Sequence, residues 1–592
     1  MTPNAYILLD DQLAGTVRYY DSPIEIITAW TSEEVLPALA QMQTASEAGH
    51  YLAGYCAYEM GHVLEVKLAD NIAQRAGEPL LQFGVFTGFG TEAPEGLETG
   101  ADRPVPRLHL CPEWNEAEYL SRYRRVIDYI EAGDVYQINL CFPMRGAYDG
   151  GSAYDLYIAL RARQPVHYGG VVSLKAGGPE IVSLSPELFF RQDGKAMTMS
   201  PMKGTVKRAE DAAEDAALKA AMRVDAKSQA ENLMIVDLLR NDLSRLAARG
   251  SVKVPELFAL ETYPTLHQMT STVTAELAEG ADIRTLFESL FPCGSVTGAP
   301  KIRAMEIIKV LETAPRGAYC GALGYIDPPT KEGNQGAACF NVGIRTLILK
   351  DGDVRYNIGS GVVLDSVGVD EYAECLLKAQ VVRGDRPDLI ETFKRTADGE
   401  FVRLERHLAR LRRSAEALEY IYDEDQVMLA LNGIDAVGDL RVRLTLAQCG
   451  EVGLATSKFA PLTSPLTIAV SRATLTPAVQ ETAHKVSARS FYDGERGRVK
   501  AACGADEVIF LNAKGEICEG SFTSIFLKRG DHYVTPALSC GLLPGVLREE
   551  MVETGQAIEA ILTLDELMGA EICMGNSLRD LIRVKLISYE LV

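Results

Sequence analysis

The sequence predicts an α+β protein built as two domains, and three observations carry that reading. At 592 residues the chain is longer than one hydrophobic core usually organises. Strand-like and long helix-like runs are mixed along residues 6–382 and again beyond residue 389. Between them, Arg383-Gly-Asp-Arg-Pro-Asp388 is short, polar and carries both Gly and Pro, the composition of a linker. The expected domains are residues 1–382 and 389–592, joined by 383–388.

Composition narrows the function classes. With 47% apolar and 24% charged residues, and no apolar run approaching the ~20 residues of a membrane span, the chain has material for folded cores but none for a transmembrane helix. Met1 to Leu8 lacks the basic start of a secretory signal, so a soluble cytoplasmic protein is expected. A net charge of −22 argues against nucleic acid and requires a local basic pocket for any anionic substrate. Twelve cysteines without a Cys-x-x-Cys pair read as reduced, mostly buried thiols. No Gly-x-Cys-x-Gly nucleophile elbow is present, so the chain carries no glutaminase of that kind.

In the first segment, the helical pattern Glu231 to Leu243 sets Leu233, Val236, Leu239 and Leu243 on one apolar stripe and leaves Glu231 at its N-terminal end. Glu374 and Lys378 fall one helical turn apart, a spacing that alone reads as a surface ion pair. Phe291 to Lys301 and Gly359 to Val363 read as glycine-containing loops whose backbone N–H groups could approach an anion closely. Carboxylates beside such loops suggest Mg²⁺ bridging an anionic substrate. The charged stretches Glu95 to Arg103 and Arg208 to Asp215 read as solvated surface or loop. In the second segment, Leu389 to Phe393 reads as a strand and Leu404 to Leu418 as an amphipathic helix. Ala505 to Phe510 and Ile517 to Phe526 read as a hairpin around Asn512-Ala-Lys-Gly515.

Six motifs in order, Asp134-Val-Tyr-Gln-Ile-Asn139, Leu184-Ser-Pro-Glu-Leu-Phe189, Pro201-Met-Lys-Gly-Thr205, Glu231 to Asp242, Phe291 to Lys301 and Gly359 to Lys378, make residues 1–382 resemble the chorismate-utilising enzymes, and among them the aminodeoxychorismate synthase component I group. The resemblance implies two layered antiparallel sheets with helices outside, as in anthranilate synthase component I. It implies that Glu231 and Glu374 bind Mg²⁺, that Glu187 is a general acid, and that His267 lies at the ring. It further implies substrate contacts from Gln137, Thr205, Gly294, Ser295, Thr297, Gly359, Ser360, Gly361 and Lys378. Arg345 fits a carboxylate fork. A lysine at position 203 marks the para-amino branch, where its amine attacks chorismate C2 before ammonia adds at C4. An amine must be unprotonated to attack, which burial beside a second cation such as Lys207 or Lys301 would favour. Gln137 stands where water-activating relatives carry lysine. With no glutaminase motif in this chain, ammonia is expected from a separate glutamine amidotransferase subunit.

Residues 389–592 resemble the fold-type IV pyridoxal-phosphate enzymes, the group of D-amino-acid and branched-chain aminotransferases and aminodeoxychorismate lyase. The motifs are Leu404 to Leu411, His484 to Arg489, Cys518 to Ser524, Leu543 to Arg548 and Gly575 to Arg579. The resemblance makes Lys485 the cofactor's covalent partner and Glu519 the group against its pyridine nitrogen. Arg410 and the backbone N–H groups of Val546 and Leu547 would hold its phosphate. Arg410 also reads as part of a solvated basic face with Arg406 and Arg413, a face easier to explain beside an anion. Sites of this group are often completed at a homodimer interface. Together the segments imply conversion of chorismate and ammonia to 4-amino-4-deoxychorismate, then to para-aminobenzoate and pyruvate. The alternative is a second domain that is transaminase-like, or inactive and used for regulation or assembly.

Overall fold

The computed structural model describes residues 5–71, 77–92, 108, 110–148, 151–209, 211–262, 266–329, 336–383, 387–435, 437–461, 465–475, 483–567 and 569–588. The chain divides into two compact units, Met1–Gly384 and Asp385–Val592.

Unit 1 holds a nine-stranded and a ten-stranded sheet, antiparallel in every pairing among the described residues. Strand alternation decides the layering. Along Tyr6–Asp11, Ile7 joins a core with Val172 and Ile181 of its own sheet and Tyr55, Phe86 and Leu323 of the other. Tyr6 and Leu8, on the opposite face, join a core with helix residues Tyr119, Leu156, Ile307 and Tyr372. The outer face of the ten-stranded sheet is covered likewise by Leu39, Ile235, Leu239 and Phe287 from three helices. Two sheets face each other with helices outside, and each fully buried Leu or Ile contributes about 1.5–3 kcal/mol to that arrangement.

The helix Ala226–Ser244 buries Asn232, Ile235, Val236, Leu239 and Leu243, whereas Leu233, expected on the stripe, is 45% exposed. The place belongs to Asn232, whose Oδ1 accepts from Ser271 Oγ at 2.6 Å, a buried polar contact that apolar counting passes over. Asp215 is likewise not solvated surface: it is buried between Arg208 and His267. Glu95 to Arg103 lies outside the described residues.

Unit 2 holds a three-stranded antiparallel sheet beginning with Leu389–Arg395 and an eight-stranded mixed sheet. The helix Leu404–Leu418 buries His407, Leu408, Arg410, Leu411, Ser414 and Ala415, a 3–4–7–8 stripe that carries one arginine inward. The expected hairpin forms between Glu507–Asn512 and Ile517–Gly520. It ends sooner than the pattern suggested: Ser524–Arg529 is a separate strand paired with Glu571–Asn576, and Ser521 to Thr523 form cavity wall between them. All twelve cysteines are free and ten are buried. No described helix is long and apolar enough to cross a membrane.

Candidate active sites

The first site gathers at one end of the space between the unit 1 sheets. Lys203 lies on the edge strand Met202–Lys207, opposite Met269, and the register shifts between Lys203 and Thr205. Gly204 makes that bulge possible: its φ is +73°, and a Cβ there would meet Ser228 Oγ at 2.8 Å. From the other sheet come Gln137 and Gly361, in strands paired along their length. A Cβ on Gly361 would stand 2.6 Å from Gln137 Nε2 and 3.4 Å from Lys203 Nζ, so the glycine clears the space that the Gln137 amide and the Lys203 amine use. Gln137 Oε1 is buried without a partner.

Glu187 is buried, and that burial pushes its carboxyl up to about 7 against the opposing pull of Ser295 and Lys203. Its Oε1 has no hydrogen-bond partner. Arg345, at φ +50°, accepts Leu184 N–H on its carbonyl, and its guanidinium has no ion pair among the described residues. Burial holds its pKa below the usual value.

Glu231 is pushed up by burial and by the charges of Glu371 and Glu374, while Lys203 and Lys227 pull it back. Burial also raises Glu374, but Lys378, Lys203 and Lys227 outweigh it and the pKa falls. Lys378 Nζ sits 2.7 Å from Glu374 Oε1 and donates to the Gly359 carbonyl at 2.8 Å, so this ion pair also ties a helix to the sheet. Carboxylates that feel one another's charge in a half-buried place are hard oxygen donors suited to Mg²⁺. Among the described residues no three His, Cys, Asp or Glu side chains form a metal cage, so water and substrate would complete the shell.

Several expected contacts are arranged differently. Ser360 sits one residue from Gly361 and points to the opposite face, where its hydroxyl meets Tyr119 Oη at 3.1 Å. Thr297 Oγ1 turns back onto the Cys293 and Gly294 carbonyls, and Gly294 packs against Leu238; of that loop, Ser295 is the residue that reaches Glu187. His267 has both ring nitrogens engaged, Nε2 with Asp215 at 2.9 Å and Nδ1 with Thr262 at 3.1 Å, and offers none to the Lys203 pocket. The charges facing Lys203 are the carboxylates Glu187, Glu231 and Glu374. Lys301 is held by Asp242 at 2.5 Å and donates to the Leu290 carbonyl. The side chains of Thr205 and Lys207 lie outside the described residues. Asp215 and Glu371 escaped sequence reasoning, although Glu371 stands one turn before Glu374.

Unit 2 encloses a cavity of about 500 Å³ lined by Arg410, Lys485, Glu519, Thr523, Val546 and Leu547 among others. Burial lowers Lys485 to about 7, with Arg410, Arg489 and Arg443 adding to the shift and Glu391 opposing it. Burial raises Glu519 to about 7; Tyr492 Oη donates to its Oε1 at 2.8 Å and Leu543 N–H to its Oε2 at 3.1 Å. Arg410 is held by Glu391, through Nε at 2.9 Å and Nη2 at 2.6 Å, and by the Pro544 carbonyl at 3.0 Å. Glu391 also receives His407, whose other nitrogen meets Ser577 Oγ at 2.7 Å.

Arg406 and Arg413 do face anions, but these are Glu553 and Glu549 of the helix Val546–Glu553. Arg410 alone of the three turns inward, with N–H groups to spare at the cavity. The first backbone N–H groups of that same helix border the cavity, its N-cap Gly545 supplies no side-chain acceptor, and Thr523 Oγ1 is buried without a partner. A nucleophilic lysine, an opposed carboxylate, a helix N-terminus and an arginine fit pyridoxal phosphate.

Residues 4–384 match the family model of chorismate binding enzymes, and residues 388–587 that of class IV amino-transferases. The chain is 39% identical over 282 residues to aminodeoxychorismate synthase component 1 of Escherichia coli, covering 47% of this chain and 60% of that protein. It is 40% identical over 286 residues to anthranilate synthase component 1 of Streptomyces coelicolor, covering 47% and 54%. The chain thus spans little more than half the length of the curated relatives it matches. Anthranilate synthase component I from Streptococcus pneumoniae superposes with a TM-score of 0.51 at 24% identity, over 65% of this chain and 93% of that one, a likeness of fold.

Proposed function

The chain belongs to the chorismate binding enzymes, and on that premise we propose that it makes para-aminobenzoate in two steps, one in each unit. The first site aminates chorismate at C4 and the second removes pyruvate from the product. A relative named aminodeoxychorismate synthase and one named anthranilate synthase match almost equally well, so Lys203 is the observation that favours C4.

In the first step the Lys203 amine adds at C2 as the C4 hydroxyl departs. Glu187, with its pKa near 7, is protonated often enough at neutral pH to release that hydroxyl as water. Ammonia then adds at C4 and expels the lysine. Gln137 supplies an unpartnered buried carbonyl that can accept from the incoming nucleophile. Arg345 would take a substrate carboxylate, and Glu231 with Glu374 would hold Mg²⁺, which neutralises another. Ammonia would come from a separate glutamine amidotransferase subunit.

In the second step bound pyridoxal phosphate supplies an electron sink. Arg410 and the backbone N–H groups of Val546 and Leu547, which line the cavity, would hold its phosphate, and Glu519 would keep its ring nitrogen protonated. Lys485, drawn toward neutrality by burial and arginines, takes the proton from C4 of the amino substrate. A homodimer through the second unit belongs to the same proposal.

The test is the purified chain with chorismate, Mg²⁺, ammonium and pyridoxal phosphate, its products identified by mass. Para-aminobenzoate with equimolar pyruvate is expected. Aminodeoxychorismate alone points to a transaminase-like or inert second unit, and anthranilate overturns the role given to Lys203.

A further inference from the structure

The unit 2 cavity holds more positive charge than a cofactor phosphate needs. Besides Arg410 and Lys485, its wall carries Arg441, from the strand Leu440–Leu446, and Arg579, after the strand Glu571–Asn576. These two cations come from different sheets yet lie close enough for Arg441 to depress the Arg579 pKa, after burial itself. The acids nearest them in sequence are already committed: Asp439 pairs with Lys394 at 2.6 Å and Asp580 with Arg403 at 2.7 Å. The carboxylates on the cavity wall are engaged too, Asp493 with Arg496 at 3.5 Å and Glu519 with Tyr492 and the Leu543 amide. Among the described residues neither Arg441 nor Arg579 has a carboxylate partner; the Arg579 guanidinium lies 5.8 Å from the Phe459 ring. Two like charges brought together at a cavity wall repel, and an anion between them removes that cost.

We propose that Arg441 and Arg579 form a carboxylate subsite, so that the unit 2 cavity selects amino compounds bearing a carboxylate remote from the amine over analogues that lack it. The proposal rests on reading this cavity as the pyridoxal-phosphate site and adds to it the substrate class: an anionic amino acid rather than one with an apolar side chain. Planar guanidinium forks suit a carboxylate, each able to give it two parallel N–H groups.

The probes are 3-aminobenzoate, whose carboxylate is remote from its amine, and aniline, which has none, titrated into the full chain loaded with pyridoxal phosphate. Binding is followed by the cofactor's visible absorbance, which reports this cavity and is blind to the unit 1 site. The native chain should prefer 3-aminobenzoate over aniline by about tenfold or more. Arg441→Met and Arg579→Met should each load cofactor normally and lose most of that preference, while Arg441→Lys, which keeps the charge, should retain part of it. A native chain that takes up no pyridoxal phosphate overturns the cofactor reading. A loaded chain that binds both probes equally, or loaded variants that discriminate like the native chain, overturn the carboxylate subsite alone.

Discussion

Lys203 and Lys485 are the same side chain in opposite surroundings. Lys485 is buried among Arg410, Arg489 and Arg443, with one opposing carboxylate already shared by Arg410 and His407. Those neighbours take its amine toward neutrality before any ligand arrives. Lys203 instead faces Glu187, Glu231 and Glu374, of which the last two are candidate cation ligands and the first has its pKa raised to about 7. The charge around Lys203 therefore depends on what those carboxylates bind, whereas the charge around Lys485 is built into the fold. On the proposed function, one pocket would be pre-set for a cofactor that stays, and the other would be completed by cation and substrate together.

The contrast can be broken at several points. The largest effect is expected from Glu187→Gln, which removes the proton donor and should cut chorismate amination by about 10²–10⁴-fold while leaving unit 2 turnover of supplied aminodeoxychorismate intact. The native enzyme should lose first-step activity as pH rises through about 7, because a carboxyl with a raised pKa gives up its proton there; the glutamine variant should lack that limb. In unit 2 the sign reverses: cofactor capture needs unprotonated Lys485 and should slow as pH falls below about 7, measured by stopped-flow absorbance. Gly361→Ala places a methyl 2.6 Å from Gln137 Nε2, and about a tenfold fall in kcat with little change in thermal stability is expected. Ser360→Ala should be mildest, losing the Tyr119 contact on the far face and about 1 kcal/mol of stability by denaturant titration, with kcat unchanged.

What could be read in the sequence follows the range of the forces involved. The helix Leu404–Leu418, the strand opening at Leu389 and the turn at Asn512 to Gly515 are set by local period and turn chemistry, and they form as expected. Lys203 and Gln137 stood out through short motifs, but not their meeting at Gly361, which needs a bulge on one sheet and a glycine on the other. Ser360 was misjudged because neighbouring residues on a strand face opposite ways. Partners distant along the chain were invisible: Asp215 on His267 is 52 residues away, and Glu553 on Arg406 is 147. Leu233 yielded its buried place to Asn232 because Ser271 arrives from another strand.

Two separate active sites acting in series should complement one another when two inactive chains are mixed. Lys203→Ala keeps the second site and Lys485→Ala keeps the first. Each alone, given chorismate, ammonium, Mg²⁺ and pyridoxal phosphate, should release no para-aminobenzoate, and the Lys485→Ala chain should accumulate aminodeoxychorismate. Mixed, they should release para-aminobenzoate after a lag that shortens as the Lys485→Ala chain is increased. A mixture as silent as its parts, or a Lys203→Ala chain that makes para-aminobenzoate unaided, contradicts the account.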